Sequence, residues 1–339
     1  ANVPRACPLV EIDRLRGSAR GARWVFATTD AKLDARTIAA IVSRAVAGAS
    51  ELRAIPRHAS VAPGAKVELD VSMHPGPADP GPRSLHVEVS DAAGKAVHST
   101  DISLTTSGET RTGTFTLDAR LAPGMYRVDV IDTRPRPSEL ESAAPRRTSA
   151  AFWVKDETLL ASGPKLGVSS DWLRRSGRPF PVVGTTYMAS DVHRDFLFEP
   201  NPQVWDADFA EMKRHGIGLV RTGLWTAWSR VMPEGSLEVD ERVLSALEAY
   251  VQTAARHGIF VCFNLFAFLP PSYGGTNPYL DPRSLDGQKA LVTRLAARFK
   301  GVSWIHWDLI NEPSYAPAAK LWKTRPIGDP HEAAAWKAW

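Results

Sequence analysis

The stretch Trp304-Ile305-His306-Trp307-Asp308-Leu309-Ile310-Asn311-Glu312-Pro313 decides the fold. Its apolar residues predict a strand that delivers Asn311 and Glu312 into a loop, and Pro313 ends the pairing because proline lacks the N–H that a sheet requires. A hydrophobic strand with a carboxylate at its C-terminal end is how a (β/α)8 barrel presents a catalytic group. Glu312 is therefore the best candidate in this sequence for a general acid/base.

The same pattern recurs upstream of this strand. Strands are predicted at 180–185, 217–222 and 259–264, and helices over 202–215, 239–257 and 284–300. Each helix ends at a glycine (Gly216, Gly258 or Gly301) that leads directly into a hydrophobic strand. This alternation predicts successive βα units of a parallel sheet. Periodicity alone leaves an open doubly wound sheet and a barrel as alternatives, but no glycine-rich phosphate loop follows the first strand, which disfavours a nucleotide-binding fold.

Residues 53–157 have a different character. Short runs of alternating apolar residues, such as Val67, Leu69 and Val71, are separated by turn signals such as Pro63-Gly64. This spacing predicts an antiparallel, immunoglobulin-like β-sandwich. We expect its aromatic residues to lie in the core rather than on a sugar-binding surface: Phe115, Tyr126, Phe152 and Trp153.

Residues 1–52 contain one strand at 22–27 and one helix over 36–47, which Asp34 caps. The helix has an apolar stripe formed by Ile38, Ile41, Val42 and Val46. One strand and one helix cannot bury a core alone, so this segment is interpreted as an α/β fragment, the tail of a preceding domain. Packing onto its neighbours is the alternative.

Composition narrows the function classes. The 339 residues include 41 Lys and Arg against 37 Asp and Glu, and no basic stripe is present, so nucleic acid is not a predicted partner. No apolar run approaches the roughly 18 residues of a membrane span, so a membrane is not a predicted partner either. Two cysteines, Cys7 and Cys262, exclude a disulfide framework and leave the compartment open, with a secreted or periplasmic location favoured.

Polar and aromatic side chains gather at the predicted strand ends, where α/β folds place their function. They are Tyr187 after the first strand, Arg221, Trp225 and Trp228 around the end of the second, Asn264 at the third, and Asn311 and Glu312 at the fourth. Aromatic rings stack on the apolar faces of sugars, and amides and charges bind hydroxyls. The set therefore predicts a carbohydrate site.

A metal site is not predicted. Asp191, His193 and Asp195 alternate as metal ligands do, but three polar residues in one loop are more typical of solvated or capping groups. We expect neither a metal nor a cofactor.

The run Asp308-Leu309-Ile310-Asn311-Glu312-Pro313 resembles the Asn-Glu-Pro signature at strand four of clan A glycoside hydrolases, the cellulase, β-mannanase and β-galactosidase superfamily. Val220-Arg221-Thr222 with Trp225 resembles the strand-two segment of that clan, which ends in an active-site Arg. The resemblance covers residues 178–339. It implies the first four βα units of a TIM barrel, which residues 158–177 would link to the sandwich.

The resemblance also implies roles. Glu312 would be the general acid/base of a retaining mechanism, Asn311 would bind the sugar 2-hydroxyl, and Arg221 would keep a partner carboxylate ionised. At strand three the clan often has a His, where Asn264 or Phe266 stands here, and this departure leaves the substrate open. Asp308 shares strand parity with Glu312, so we expect it to point into the barrel as a hydrogen-bonded group.

The second carboxylate of a retaining pair is a Glu at strand seven in that clan. No Glu upstream of Glu312 lies at a comparable strand end. We therefore expect the nucleophile to be absent from this chain and the isolated fragment to be inactive. A C-terminal half, another chain or a second copy would complete the barrel.

The alternatives stay open. The protein could bind carbohydrate without cleaving it, or be a half-barrel that another chain completes. For single residues, Glu312 could cap the next helix, Arg221 could belong to a structural ion pair, and Trp225 and Trp228 could be core residues.

Overall fold

The computed structural model is a mixed α/β structure with several sheets. It describes residues 9–27, 32–76, 81–134, 146–225, 228–233, 236–267, 282–311, 334 and 337–339. The chain divides into two compact units: the first comprises Ala1–Arg57, Lys66–Asp118 and Tyr126–Ala150, and the second His58–Ala65, Ala119–Met125 and Ala151–Trp339. Among the described residues, no helix has both the length and the apolar character that a bilayer crossing requires.

The first unit begins with a hairpin and a helix. Strand β1 (Leu9–Asp13) pairs antiparallel with β2 (Arg23–Ala27), and α1 (Ala35–Ala47) follows. The predicted cap is present, because the Asp34 side chain accepts a hydrogen bond from the backbone N–H of Thr37 at 2.7 Å.

The apolar stripe of α1 is largely exposed. Ile38, Val42 and Val46 are 49%, 54% and 71% exposed, and no residue of the helix is buried. Arg44 instead joins the helix to Glu11 of β1 by an ion pair. Periodicity shows that a helix has an apolar face but not that something covers that face.

Two antiparallel sheets make up the rest of the first unit. One has the order β3-β5-β9-β8, formed by Glu51–Pro56, Val67–His74, Thr110–Leu117 and Thr105–Ser107. The other has the order β11-β10-β6-β7, formed by Arg146–Val154, Gly124–Asp132, Ser84–Asp91 and Ala96–Ser103. Their inward residues alternate along the strands, as predicted. Examples are Val67, Leu69 and Val71 on β5 and Leu85, Val87 and Val89 on β6, none of which is more than 2% exposed. Phe115, Tyr126, Phe152 and Trp153 are buried, as expected.

The second unit includes the last residues of β11 and a short strand β4 (Ser60–Val61), which pairs with them in parallel. The segment interpreted as a linker is structured. It holds α2 (Glu157–Ala161) and part of a three-stranded antiparallel sheet, whose strands are β12 (Leu166–Val168), β13 (Leu173–Arg175) and β14 (Arg178–Pro179).

The remaining elements of the second unit are a parallel sheet and its helices. The four strands are β15 (Gly184–Thr186), β16 (Leu219–Gly223), β17 (Phe260–Phe266) and β18 (Ile305–Ile310), in that order across the sheet. The helices between them are α3 (Pro202–Arg214), α4 (Trp228–Val231), α5 (Glu241–Arg256) and α6 (Pro282–Arg298). The predicted order of strands and helices is confirmed for residues 178–310. Within the described residues the sheet is open rather than a closed barrel.

Glycines end the three long helices, as the sequence predicted. Gly216, Gly258 and Gly301 have φ of 77°, 69° and 82°, the left-handed conformation that follows a helix and costs glycine little. The next strand begins within a few residues of each glycine. Because all neighbouring strands pair in parallel, the four C-terminal strand ends lie at one edge of the sheet.

Helix α5 makes both apolar and polar contacts with the elements around it. Tyr250 is fully buried among the rings of Phe196, Trp205 and Phe209. On another side of the helix, Glu248 is 1% exposed. It accepts a hydrogen bond from Ser60 Oγ (2.7 Å) and is ion-paired with Arg298 (3.0 Å) and Lys155 (3.4 Å).

Candidate functional site

The candidate site lies at the C-terminal edge of the parallel sheet. Pairing in register puts two rows of residues on one face of the sheet. The lower row consists of Arg221, Cys262 and His306. The upper row, two residues nearer the C-terminal strand ends, consists of Gly223, Asn264 and Asp308. Backbone hydrogen bonds continue past the strands, since the N–H of Tyr187 donates to the Arg221 carbonyl and that of Asn311 to the Phe266 carbonyl, both at 3.0 Å. The loops after the strands therefore begin from fixed positions.

Arg221 is the centre of the polar contacts. Its Nε and Nη2 donate to Oδ2 of Asp308 at 2.9 and 2.6 Å, and Nη2 also donates to Oδ1 of Asn311 at 3.1 Å. The guanidinium carbon lies 5.3 Å from the centre of the Trp225 ring, within the range of a cation–π contact. Three predicted site residues, from two different strands, are thus brought together. Sequence reasoning placed Asp308 on the inner face but did not identify it as the partner of Arg221.

The charges of this cluster are partly solvated. The side chains of Arg221 and Asp308 are 34% and 26% exposed. A ligand at the edge can therefore reach the cluster without unfolding the strands.

Asn264 occupies the most enclosed position of the upper row. It is fully buried, and neither Oδ1 nor Nδ2 has a hydrogen-bond partner among the described residues. A buried polar group without a partner costs about 1–3 kcal/mol. Gly223 lies beside it, and a Cβ there would be 2.7 Å from the Asn264 Cβ. The amide therefore has unused hydrogen-bonding capacity, but, like the ring of Trp228, it has no surface open to a ligand in this structure.

The lower row adds two titratable groups that sequence reasoning did not assign to the site. Burial raises the pKa of the Cys262 thiol, and the nearby Asp308 carboxylate raises it further. Burial lowers the pKa of His306 below its usual 6.5. Both groups are therefore held in their neutral forms at pH 7. The available signal in the sequence was strand parity, since Cys262 lies two residues before Asn264 and His306 two residues before Asp308.

The two tryptophans after β16 have different environments. Trp225 is half-buried and lies against the Arg221 guanidinium. Trp228 is 4% exposed, stacks on Phe266 at a centroid distance of 6.1 Å, and donates from Nε1 to the carbonyl of Ala267 at 3.0 Å. Its burial leaves little surface for a ligand because the short helix α4 turns the ring inward. Of the two, Trp225 is placed for ligand contact.

Tyr187 joins the strand ends to the helices. Its hydroxyl donates to Oδ2 of Asp208 on α3 at 2.7 Å, and its ring stacks on Tyr250. Burial and the Asp208 carboxylate raise the pKa of Tyr187 well above its ordinary value, because both disfavour the phenolate. Tyr187 is thus a neutral donor whose hydroxyl is already engaged.

Among the three alternating residues after β15, Asp191 is exposed at its surface, but partial desolvation still raises the pKa of its carboxyl group. Its Oδ1 accepts a hydrogen bond from the Val192 N–H at 2.8 Å, which is a local capping contact. Among the described residues, no three His, Cys, Asp or Glu side chains cluster closely enough to hold a metal ion.

Glu312, the predicted acid/base, lies outside the described residues, and its role stays a prediction. The last described residue before it, Asn311, belongs to the Arg221 cluster. Residue 312 therefore follows directly on the strand end that carries the polar contacts.

Comparisons with known proteins give limited similarity. No protein-family model and no curated protein matches the chain. Solved structures that resemble it are glycoside hydrolases. An exo-β-1,4-mannosidase from Opitutaceae bacterium strain TAV5 is 21% identical with a TM-score of 0.35, over 40% of this chain and 25% of that one. A GH5_18 protein from Bifidobacterium longum subsp. infantis is 16% identical with a TM-score of 0.36, over 46% and 39%.

A β-glucuronidase from Ruminococcus gnavus aligns over a longer part of the chain. It is 14% identical with a TM-score of 0.32, over 86% of this chain and 40% of that one. This chain therefore spans between 25% and 40% of the length of the three proteins. Such low scores assign neither the fold nor the activity, so the functional argument rests on the site itself.

Proposed function

We propose that this chain contributes the acid/base half of the active site of a retaining β-glycoside hydrolase. The observation that carries the proposal is the cluster of Arg221, Asp308 and Asn311 at the C-terminal ends of parallel strands, immediately before Glu312. In a (β/α)8 enzyme this edge is where catalytic groups collect. The four-stranded sheet would be half of such a barrel, and residues 53–157 an accessory β-sandwich.

Glu312 would protonate the leaving oxygen in the first step and then activate the water that hydrolyses the glycosyl-enzyme intermediate. Asn311 would bind the sugar 2-hydroxyl, a contact that strengthens in the transition state. Asn264, which the sequence also placed in the site, is fully buried, so we assign it no direct contact with the sugar. Trp225 would present its ring to the apolar face of the sugar.

The nucleophile would be a carboxylate about 5–5.5 Å from Glu312. None of the described strand ends of the parallel sheet carries a second Glu. We propose that a C-terminal half or a second chain supplies it. Nη1 of Arg221 makes no hydrogen bond to another described residue and would favour the ionised form of that carboxylate.

Hydrolysis assays on the intact protein that contains this sequence test the proposal. The assays compare Glu312→Gln with the wild type on alkyl and 2,4-dinitrophenyl β-glycosides. A general acid matters most for a poor leaving group, so the alkyl glycoside should lose about 10²–10⁴-fold in kcat/KM and the dinitrophenyl glycoside far less. Glu211→Gln, on the exposed side of α3, is the matched control and should leave both unchanged.

Equal rates for Glu312→Gln and the wild type on both substrates would refute the proposal. Sugar affinity by calorimetry without any turnover would instead favour the non-catalytic carbohydrate-binding alternative.

A further inference from the structure

We propose that Asp308 is a positioning residue that sets the direction of the Asn311 contact with the sugar. The inference rests on the proposed function, because it assigns the donor and acceptor of the 2-hydroxyl contact. Its structural part concerns only the contacts between Asp308, Arg221 and Asn311.

The first step is the anchoring of Arg221. An arginine side chain on a strand has many rotamers, and its guanidinium must be held before it can orient anything else. Here Nε and Nη2 both donate to one oxygen, Oδ2 of Asp308, at 2.9 and 2.6 Å. Hydrogen bonds between two ionised groups are among the stronger ones in proteins. Asp308 therefore fixes both the position and the plane of the guanidinium.

The second step is the orientation of the Asn311 amide. Nη2 lies 3.1 Å from the amide oxygen Oδ1 of Asn311. A guanidinium has only donors, so the amide atom that faces it must be the oxygen. Nδ2 then faces away from Arg221 and can donate to a ligand. The sugar 2-hydroxyl would accept through its oxygen.

The third step separates Asp308 from a purely structural ion pair. Asp308 lies on β18, three residues before Asn311, which follows the end of that strand, and the Asp308 side chain is 26% exposed. Removing its carboxylate leaves the backbone pairing of β18 in place. What is lost is the anchor of Arg221 and, through it, the preference of Asn311 for one amide orientation.

The test uses sugars that differ only at C2. Methyl β-D-glucopyranoside and methyl β-D-mannopyranoside share one 2-deoxy analogue, so one compound serves as the reference for both. Dissociation constants of the intact protein that contains this sequence are measured by ¹H–¹⁵N NMR titration. If Asn311 makes one hydrogen bond to the 2-hydroxyl, the wild type should bind one of the two 2-hydroxy sugars about five- to tenfold more tightly than the 2-deoxy sugar.

In Asp308→Ala this ratio should fall to nearly one while affinity for the 2-deoxy sugar stays the same. Asp308→Asn, which keeps an acceptor without the charge, should give an intermediate ratio. Asp308→Ala combined with Asn311→Ala should lower the ratio no further than either change alone. The matched control is Asp132→Asn in the first unit, where Asp132 accepts two hydrogen bonds from Arg134 at 2.9 and 2.7 Å. This substitution should leave the affinity ratio unchanged.

A second readout does not require sugar. The Arg221 Nε–H resonance should exchange slowly with solvent in the wild type and rapidly in Asp308→Ala. An unchanged exchange rate in Asp308→Ala would overturn the proposal, as would equal losses of affinity for all three sugars. If the wild type binds none of them, the proposed function fails, and with it the sugar contact assigned to Asn311. The exchange rate alone still decides whether Asp308 anchors Arg221.

Discussion

Replacing Glu248 by alanine is expected to destabilise the second unit by about 2–4 kcal/mol. Glu248 is 1% exposed on α5 and accepts a 2.7 Å hydrogen bond from Ser60 Oγ. A hydrogen bond to a charged group contributes about 1.5–3 kcal/mol. Alanine keeps Cβ, so the substitution removes one buried methylene group, which contributes about 0.8 kcal/mol. The partners Arg298 and Lys155 are 24% and 26% exposed, so water replaces most of their ion-pair energy and little is added for them.

The measurement is urea unfolding followed by tryptophan fluorescence. Glu248→Gln keeps the shape and a bond to Ser60, so it should cost about 1–2 kcal/mol. The matched control is Glu241→Ala on the same helix. Glu241 also binds Arg298, at 2.7 Å, but it is 43% exposed, so the change should cost less than about 1 kcal/mol. Equal costs for Glu248→Ala and Glu241→Ala would refute the reasoning, because burial would then not matter.

Three further predictions concern the strand ends. Gly223→Ala places a Cβ 2.7 Å from the Asn264 Cβ and should lower the unfolding free energy by about 1–3 kcal/mol in urea titrations, whereas Gly167→Ala, with nothing within 4 Å, should cost little. Burial raises the pKa of Tyr187, so above the ordinary value of 10.0 the unfolded chain loses a proton that the folded chain keeps. Stability should therefore fall as the pH rises above about 10, and Tyr187→Phe should reduce that fall between urea midpoints at pH 9 and 11. Burial lowers the pKa of His306, so its NMR titration midpoint should lie below 6.5. As the pH falls through 6.5 the unfolded chain binds a proton that the folded chain does not, so stability should decrease. A midpoint at or above 6.5 would contradict this.

The order of elements in residues 178–310 could be read from the sequence because it depends on local signals. A glycine after each helix and an apolar run after each glycine act over a few residues, and the structure confirms four parallel strands and three long helices. The bounds differ by a few residues. The first strand is Gly184–Thr186 rather than 180–185, because only those residues pair with β16.

Burial could not be read in the same way. The stripe of α1 and the ring of Trp228 have ordinary apolar composition, yet Val46 is 71% exposed and Trp228 is 4% exposed. Which apolar group is covered depends on elements far away in the sequence. The burial of Trp228 therefore gives no support to its predicted contact with a sugar.

The sequence by itself determined which residues could do chemistry here. Each of three candidates, Asn311, Arg221 and Asn264, was identified as a polar residue at the end of an apolar strand. Strand parity also placed Asp308 on the inner face. Only the tertiary structure decided their partners: Arg221 with Asp308 across 87 positions, Tyr187 with Asp208, and no described partner for the Asn264 amide. The physical reason is that strand pairing sets which side chains are neighbours. A hydrogen bond depends on distances of a few tenths of an ångström, which no local pattern fixes.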